Sequence, residues 1–260
     1  MTEPSTIEAM ATAEQTEFVE LVTSLTAAEW SAPSLCDGLT VRDIVVHIAA
    51  HIHGEPNGAE IKRAILRYPL QPGRVGKRLD RDQRARHVAR SEANLVQWLA
   101  APIDDPGSST QLSELVIHQQ DIRRAIDRPR TIPSDRLAAV LDFSTSKAGH
   151  MSVNFARWRV RGLRLVAADI AWTSGEGPAV AGPGEALIMA ANGRGEALRD
   201  LSGPGLATLA RRTTRWSERF ASTEAHVITL DSAPGPRWSS CRHAFARKSF
   251  DDGVARRPPP

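Results

Sequence analysis

Aromatic side chains make up only 5% of the 260 residues, and there is a single tyrosine. Any core must therefore be filled by Leu, Val, Ile and Ala. Cysteine is almost absent: Cys36 and Cys241 stand far apart and do not make a disulfide framework. No continuous apolar run approaches the roughly 18 residues of a membrane span. The opening MTEPSTIEAM has neither the basic region nor the apolar run of a secretory signal. These absences point to a soluble cytoplasmic protein in a reducing compartment, with no membrane partner. What is present is ordinary for a globular chain, 41% hydrophobic and 24% charged, in a length that suits one or two domains. The net charge is +3, but ten of the 33 basic residues and only five of the 30 acidic ones fall in 211–260. The body up to residue 210 is thus slightly acidic. A basic tail without a basic folded face excludes a nucleic-acid partner.

Apolar spacing in the first half is helical. Phe18, Leu21, Val22 and Leu25 form one stripe. The run PSLCDG from Pro33 to Gly38 ends it. Thr40 then serves as N-cap of a second helix that buries Val41, Ile44, Val45, Ile48 and Ile52. Gly54, Pro56, Asn57 and Gly58 loosen or end that helix, and Tyr68–Gly76 reads as a loop. A third helix is expected from Arg78 to Ala100 and a fourth from Thr110 to Ile126. A fifth is capped by Ser134. Long amphipathic helices with moderate loops predict an antiparallel four-helix bundle. The pattern changes near Arg161. Leu163, Leu165 and Ala167 alternate, and Val166, Ile170 and Trp172 continue an extended run. A turn at Gly175–Pro178, a strand at Ala179–Ala181 and a helix from Pro183 to Ala191 follow. The expected architecture is a helical bundle over 1–155, a small α+β domain over 156–212, and a poorly ordered tail over 213–260.

Two features carry chemistry. Glu114 and His118 are four apart, which puts a carboxylate and an imidazole one turn apart on one helical face. This suits a divalent metal, and it also occurs on solvated faces. His47 lies within the apolar run Ile44–Ala50, with His51 one turn later. A buried imidazole needs partners for both nitrogens, either a backbone carbonyl or a metal. Facing helices of a bundle meet at its axis, so His47, Glu114 and His118 form a candidate ligand set of two nitrogens and one oxygen. Asp121, one turn from His118, is a candidate acceptor orienting that imidazole. His51 is a lesser candidate for a substrate-facing role, and His53 is read as solvated. Cys36 precedes a helix N-terminus, which favours a thiolate, but packing is its more ordinary role. Cys241 is read as incidental. Arg157, Arg159, Arg161 and Arg164 form a charge run near the domain junction that suits solvent or an acidic ligand.

The run from Ala28 through Trp30, Pro33, Cys36, Gly38, Thr40 and Asp43 to His47 resembles the N-terminal metal-binding domain of the mycothiol-dependent maleylpyruvate isomerase family. That family belongs to the DinB-like metalloenzyme superfamily. The later motif E-x-x-x-H-x-x-D is met by Glu114, His118 and Asp121. The segment from Gly162 through Asp169, Trp172 and Gly182 to Gly193 and Arg194 resembles the same family's α+β domain. The resemblance spans roughly residues 10–212. It departs at Leu39, where the family usually carries Trp, and from Thr213 onward it finds no counterpart.

The resemblance implies His47, Glu114 and His118 as metal ligands, zinc being the expected divalent ion. Three protein ligands leave a position open, the mark of a catalytic site. It further implies mycothiol as thiol cosubstrate. A metal-activated thiolate can add to a double bond, allow rotation and leave, which is isomerisation, or displace a leaving group, which is S-transfer. The expected function is therefore a divalent-metal, mycothiol-dependent isomerase or transferase acting on a small electrophile, as a monomer or homodimer. The alternatives are a metal-dependent hydrolase and a non-catalytic metal- or ligand-binding protein.

Overall fold

The computed structural model describes residues 6–69, 71–147 and 156–214. It is helix-rich with one small sheet. In chain order it runs α1 (Thr6–Thr23), α2 (Ala27–Ser31), α3 (Val41–Ile52), α4 (Gly58–Arg67), α5 (Pro72–His87), α6 (Glu92–Leu99), α7 (Ser109–Ala125), α8 (Ser134–Thr145) and α9 (Ala156–Val160). Then come β1 (Arg164–Ala167), β2 (Thr173–Ser174), β3 (Ala179–Gly182), α10 (Gly184–Ala191) and a 3-10 turn (Gly195–Asp200). A last helix covers 206–214. No helix among the described residues is long and apolar enough to cross a membrane.

The helix α7 is the axis. Its residues from Gln111 to Ile122 are buried without interruption, against α1, α3, α8 and α10. A helix covered on all sides has no solvated face, so its periodicity is weak and its polar residues must find partners inside. The core around it consists of Phe18 and Leu21 of α1, Ile44 and Ile48 of α3, Leu95 and Leu99 of α6, and Leu112, Leu115 and Ile122 of α7 itself. Gln15 ties α1 to the end of α6, its amide donating to the carbonyls of Leu99 and Ala101 at 2.7 Å each. Buried Glu14 accepts from Gln119 of α7 and pairs with Arg130 and Arg136, joining α1 to α7 and α8 through charge.

The entry to α3 fixes where His47 points. Thr40 and Asp43 cap each other reciprocally: the Thr40 hydroxyl accepts from the Asp43 amide, and the Asp43 carboxylate accepts from the Thr40 amide at 3.0 Å. Such a capping box satisfies two amides that the first turn otherwise leaves open. Thr40→Ala is expected to lower stability by about 1 kcal/mol. Urea unfolding checks this, with the midpoint falling and the slope unchanged.

Several expected boundaries move. The helix expected over Arg78–Ala100 is two helices, α5 and α6, interrupted at 88–91. There Arg42 of α3 reaches the carbonyls of Val88 and Arg90, and Ser91 caps α6. The loop expected over Tyr68–Gly76 is shorter, because α5 begins at Pro72. The helix α4 was not expected, although Asn57 and Glu60 supply its capping box. Ser134 is the first helical residue of α8 and not its cap, Pro133 taking that place. Ile170 lies in a bend and Trp172 just beyond it, and only Thr173–Ser174 pairs as a strand.

The sheet has strand order β2-β1-β3. The hairpin partner β2 runs antiparallel to β1, and β3 runs parallel to it with Leu165 opposite Val180. The crossover from β1 returns through Gly175 and Gly177, both at positive φ. A Cβ on Gly175 would stand 2.3 Å from the Leu163 carbonyl oxygen, so no other residue fits there. The Asp169 carboxylate caps α10 by accepting from the Gly184 amide at 2.7 Å. The last helix takes in Thr213 and Thr214, the first residues of the segment read as a tail; 215–260 and Cys241 lie outside the described residues.

Candidate metal centre

The two helices α3 and α7 lie side by side and bring His47, Glu114 and His118 together. One donor atom from each lies within 4.8 Å of the others. The Glu114 carboxylate oxygen Oε2 is 3.6 Å from His47 Nε2 and 3.2 Å from His118 Nε2. Both imidazoles thus present the same ring nitrogen to one point. Their other nitrogens face carboxylates: His118 Nδ1 is 2.9 Å from Asp121 Oδ2, and His47 Nδ1 is 3.6 Å from Asp80 Oδ1 of α5. A carboxylate behind the far nitrogen fixes the tautomer, leaving the Nε2 lone pair free to coordinate. Glu114 and His118 are buried, while the His47 side chain is 25% exposed, so the cluster opens to solvent on the α3 side. The donor set and its outer carboxylates fit a divalent ion such as zinc.

Asp121 lies in a buried network of its own. Arg194, reaching from beyond α10, donates to both Asp121 oxygens, Nε to Oδ1 at 2.8 Å and Nη2 to Oδ2 at 2.5 Å. The Cys36 thiol donates to Asp121 Oδ2 at 3.1 Å, and Arg194 Nη2 is 3.1 Å from Cys36 Sγ. Burial alone would raise the Asp121 carboxyl, but Arg194 and His118 outweigh it and hold it well below the usual carboxylate range. Burial pushes the Cys36 thiol up, so this sulfur stays protonated at neutral pH. Cys36, His118 and Asp121 also stand close enough to share an ion. There the Arg194 guanidinium already supplies the positive charge, which disfavours a second metal.

Burial works against charge on His118, yet Asp121, Cys36 and Glu114 around it raise its pKa well above the ordinary histidine value. Burial likewise opposes ionisation of Glu114, and His118 and His47 reverse that, lowering it well below the carboxylate range. The cluster therefore stores one proton between two carboxylates. His51, one turn beyond His47, is pushed down by burial and by its neighbouring imidazoles, and Glu114 only partly offsets this. Its ring stacks on His47 with centroids 6.2 Å apart.

Other expectations change. His53 is not solvated: its ring stacks on Trp98, and Nε2 is 2.9 Å from the Trp98 carbonyl. Cys36 packs as expected, and its sulfur also enters the polar network behind His118. Of the arginine run, Arg159 is buried, reaches the Ala191 carbonyl, and has its pKa pushed down to about 10 by burial and by Arg194. Arg157 and Arg164 are exposed. Asp80 and Arg194 are the residues that sequence reasoning gave no role. Asp80 stands in a run dense with charge, where nothing marks one carboxylate from another. Arg194 follows Gly193, whose positive φ of 94° turns the chain, and its signals were that glycine just past a helix and its place in the segment resembling the family's α+β domain.

Residues 11–123 match a family described as the mycothiol maleylpyruvate isomerase N-terminal domain. A crystal structure of a mycothiol-dependent maleylpyruvate isomerase is similar, with 16% identity and a TM-score of 0.42, covering 76% of this chain and 91% of that one. A mutant of a mycothiol-dependent maleylpyruvate isomerase gives 15% identity and a TM-score of 0.40 at the same coverage. No curated protein matches the chain.

Proposed function

We propose, from the membership of residues 11–123 in the mycothiol maleylpyruvate isomerase N-terminal domain family, that this chain is a divalent-metal enzyme using mycothiol to isomerise, or transfer sulfur to, a small electrophile. We read its helical part, to residue 155, as a DinB-like four-helix bundle that holds the ion. The α+β part over 156–212 covers the far side of α7, and the protein works in the cytoplasm, where thiols are kept reduced. The observation that carries the metal reading is the matched pair of imidazoles. Each turns Nε2 toward Glu114 and Nδ1 toward a carboxylate.

His47, Glu114 and His118 would hold the ion, which we take to be zinc. A bound divalent ion lowers the pKa of a thiol or water it holds, supplying a nucleophile at neutral pH. The chain's own residues do the rest. Asp121 keeps the His118 proton on Nδ1, and Arg194 keeps Asp121 ionised. The exposed edge of His47 leaves the approach for thiol and electrophile. Cys36, protonated and bonded to Asp121, is poorly suited to be the nucleophile, and in this reading the reacting sulfur is that of mycothiol.

The test is sulfur ligation. The protein loaded with cobalt(II) and titrated with mycothiol is expected to gain a sulfur-to-metal charge-transfer band, with release of a proton because only the thiolate coordinates. The band is expected to be absent from His118→Ala. A spectrum unchanged by saturating mycothiol overturns the thiol reading in favour of hydrolysis or simple binding.

A further inference from the structure

The charge of the body is unevenly placed. Residues 58–90 hold ten basic and three acidic residues, a net of +7, while the rest of 1–210 holds 13 basic and 22 acidic, a net of −9. The basic stretch is the pair α4 and α5, which pack on one another. The side chains of α4 are as unusual as its charge. Its one buried residue is Ala64. Among the described residues five large apolar side chains are exposed, and three of them stand on this helix of ten residues: Ile61 at 38%, Ile65 at 51% and Leu66 at 73%. Single exposed apolar residues are ordinary, but several gathered on one element mark an interaction surface.

The attachment of α4 decides which side looks outward. Glu60 and Ala64 are four apart and share a face. Arg86 of α5 pairs with Glu60 on that face and with Glu55 just ahead of the helix, so this face is turned to α5. With 3.6 residues per turn, Lys62, Ile65 and Leu66 then fall on the opposite side. Ile61 lies along one edge of it, Arg63 and Arg67 along the other. None of Lys62, Arg63 and Arg67 has an ion pair among the described residues. The outward side is an apolar strip flanked by uncompensated cations, the pattern of a helix that lies in a membrane interface without crossing it.

We propose that this face of α4 docks on an anionic phospholipid surface, with Ile61, Ile65 and Leu66 entering the boundary of headgroups and acyl chains while Lys62, Arg63 and Arg67 meet the phosphates. The Lys62 stem lies along the apolar strip and its ammonium stays among the headgroups. Charge selects this occupant. A second copy would set the same cations against each other. A single convex helix offers a protein partner's side chains no pocket, whereas a fluid bilayer conforms to it. The acidic remainder of the body is repelled by the same surface, so the charge pattern turns the hairpin toward it. The lack of a spanning helix bears on crossing a bilayer and not on lying against one. The docking is independent of the metal and thiol readings, since α4 supplies none of the three donors.

The test is cosedimentation of the full-length protein with vesicles, one set of phosphatidylcholine alone and one of phosphatidylcholine with phosphatidylglycerol. Wild type is expected to bind the anionic vesicles at least about tenfold more tightly than the neutral ones at low salt, and to lose most of that preference as salt rises. Lys62→Gln with Arg63→Gln is expected to weaken anionic binding about twentyfold, from about fivefold for each cation. Ile65→Ser with Leu66→Ser is expected to weaken it at least about tenfold. All four residues are exposed, so melting temperature and metal content are expected to stay unchanged. Amide exchange over 58–67 of wild type is expected to slow on the anionic vesicles, a readout that needs no variant. Failure of wild type to bind the anionic vesicles overturns the proposal, and so does equal binding to both kinds. Anionic binding that survives both double variants places the attraction elsewhere, the basic stretch 211–260 included, and overturns it too. Self-association without vesicle binding, abolished by Ile65→Ser with Leu66→Ser, would give the face to a second copy and likewise overturn it.

Discussion

Glu114→Ala is expected to lose at least about a hundredfold in zinc affinity, more than the loss usual for a residue that only supports a ligand. Glu114 is the hub of the cluster, since both Nε2 atoms face one of its oxygens. Its removal takes one of three donors and the only negative charge among them. Competition with a chromophoric chelator measures the loss. His53→Ala is the control, because His53 is bonded to the Trp98 carbonyl and is not one of the three donors. Full occupancy in Glu114→Ala would place the metal elsewhere. The same experiment run against pH has a definite sign. His118 has its pKa raised in the metal-free protein, so a proton must leave before Nε2 can coordinate. Zinc affinity is expected to rise with pH across the neutral range, with about one proton released per ion. Without metal the sign reverses. A raised histidine pKa stabilises the fold fully below the unfolded value, about 6.5, and this contribution is lost as pH climbs through the folded value. The melting temperature of the metal-free protein is therefore expected to fall as pH climbs above about 6.5 toward the raised folded value, while that of the zinc-loaded protein rises over the same range.

The largest loss of stability is expected from Asp121→Ala. This carboxylate is fully buried and accepts from Arg194, His118 and Cys36. Its removal leaves the Arg194 guanidinium buried without its counter-charge, a change that costs about 3–5 kcal/mol. Taking both charges away is less harmful than taking one. The double variant Asp121→Ala, Arg194→Met is expected to be more stable than Asp121→Ala alone. Denaturant midpoints of the four proteins in the cycle measure this. Additive losses would mean that the two residues do not depend on one another.

Local chemistry carried most of what could be read in advance. The Thr40 cap follows from one residue type ahead of an apolar periodic run, and Glu114 and His118 from a spacing of four. Neither needs knowledge of the rest of the chain. What could not be read depends on distant partners. Asp80 and Arg194 gain their roles from the way α5 and the segment after α10 fold back on α3 and α7, and no local pattern encodes that. Cys36 reads as packing although it stands just ahead of a helix N-terminus; the partners of its sulfur are 85 and 158 positions away. The break between α5 and α6 has a similar origin. The segment 78–100 is continuous in helix propensity, but Arg42 binds the carbonyls of Val88 and Arg90 and takes them out of the helical ladder. The helix α4 is a different case, because Asn57 with Glu60 was a readable start signal that lay hidden behind Gly54 and Pro56.

Among the hydrogen bonds that end on the Asp121 carboxylate, those from His118 and Arg194 join separate parts of the chain. Asp121 accepts from His118 three positions back in its own helix, and from Arg194, 73 positions ahead. Whatever changes the charge on the imidazole changes what that carboxylate can offer the guanidinium, and the exchange runs both ways. Thermodynamic reciprocity then makes the two ends of the chain read each other: an ion that favours one placement of Arg194 is itself favoured, by the same factor, whenever Arg194 is so placed. The C-terminal part can in this way set the affinity of a site to which it contributes no ligand, and a change far along the chain is felt at the cluster as a change in how firmly one imidazole is held.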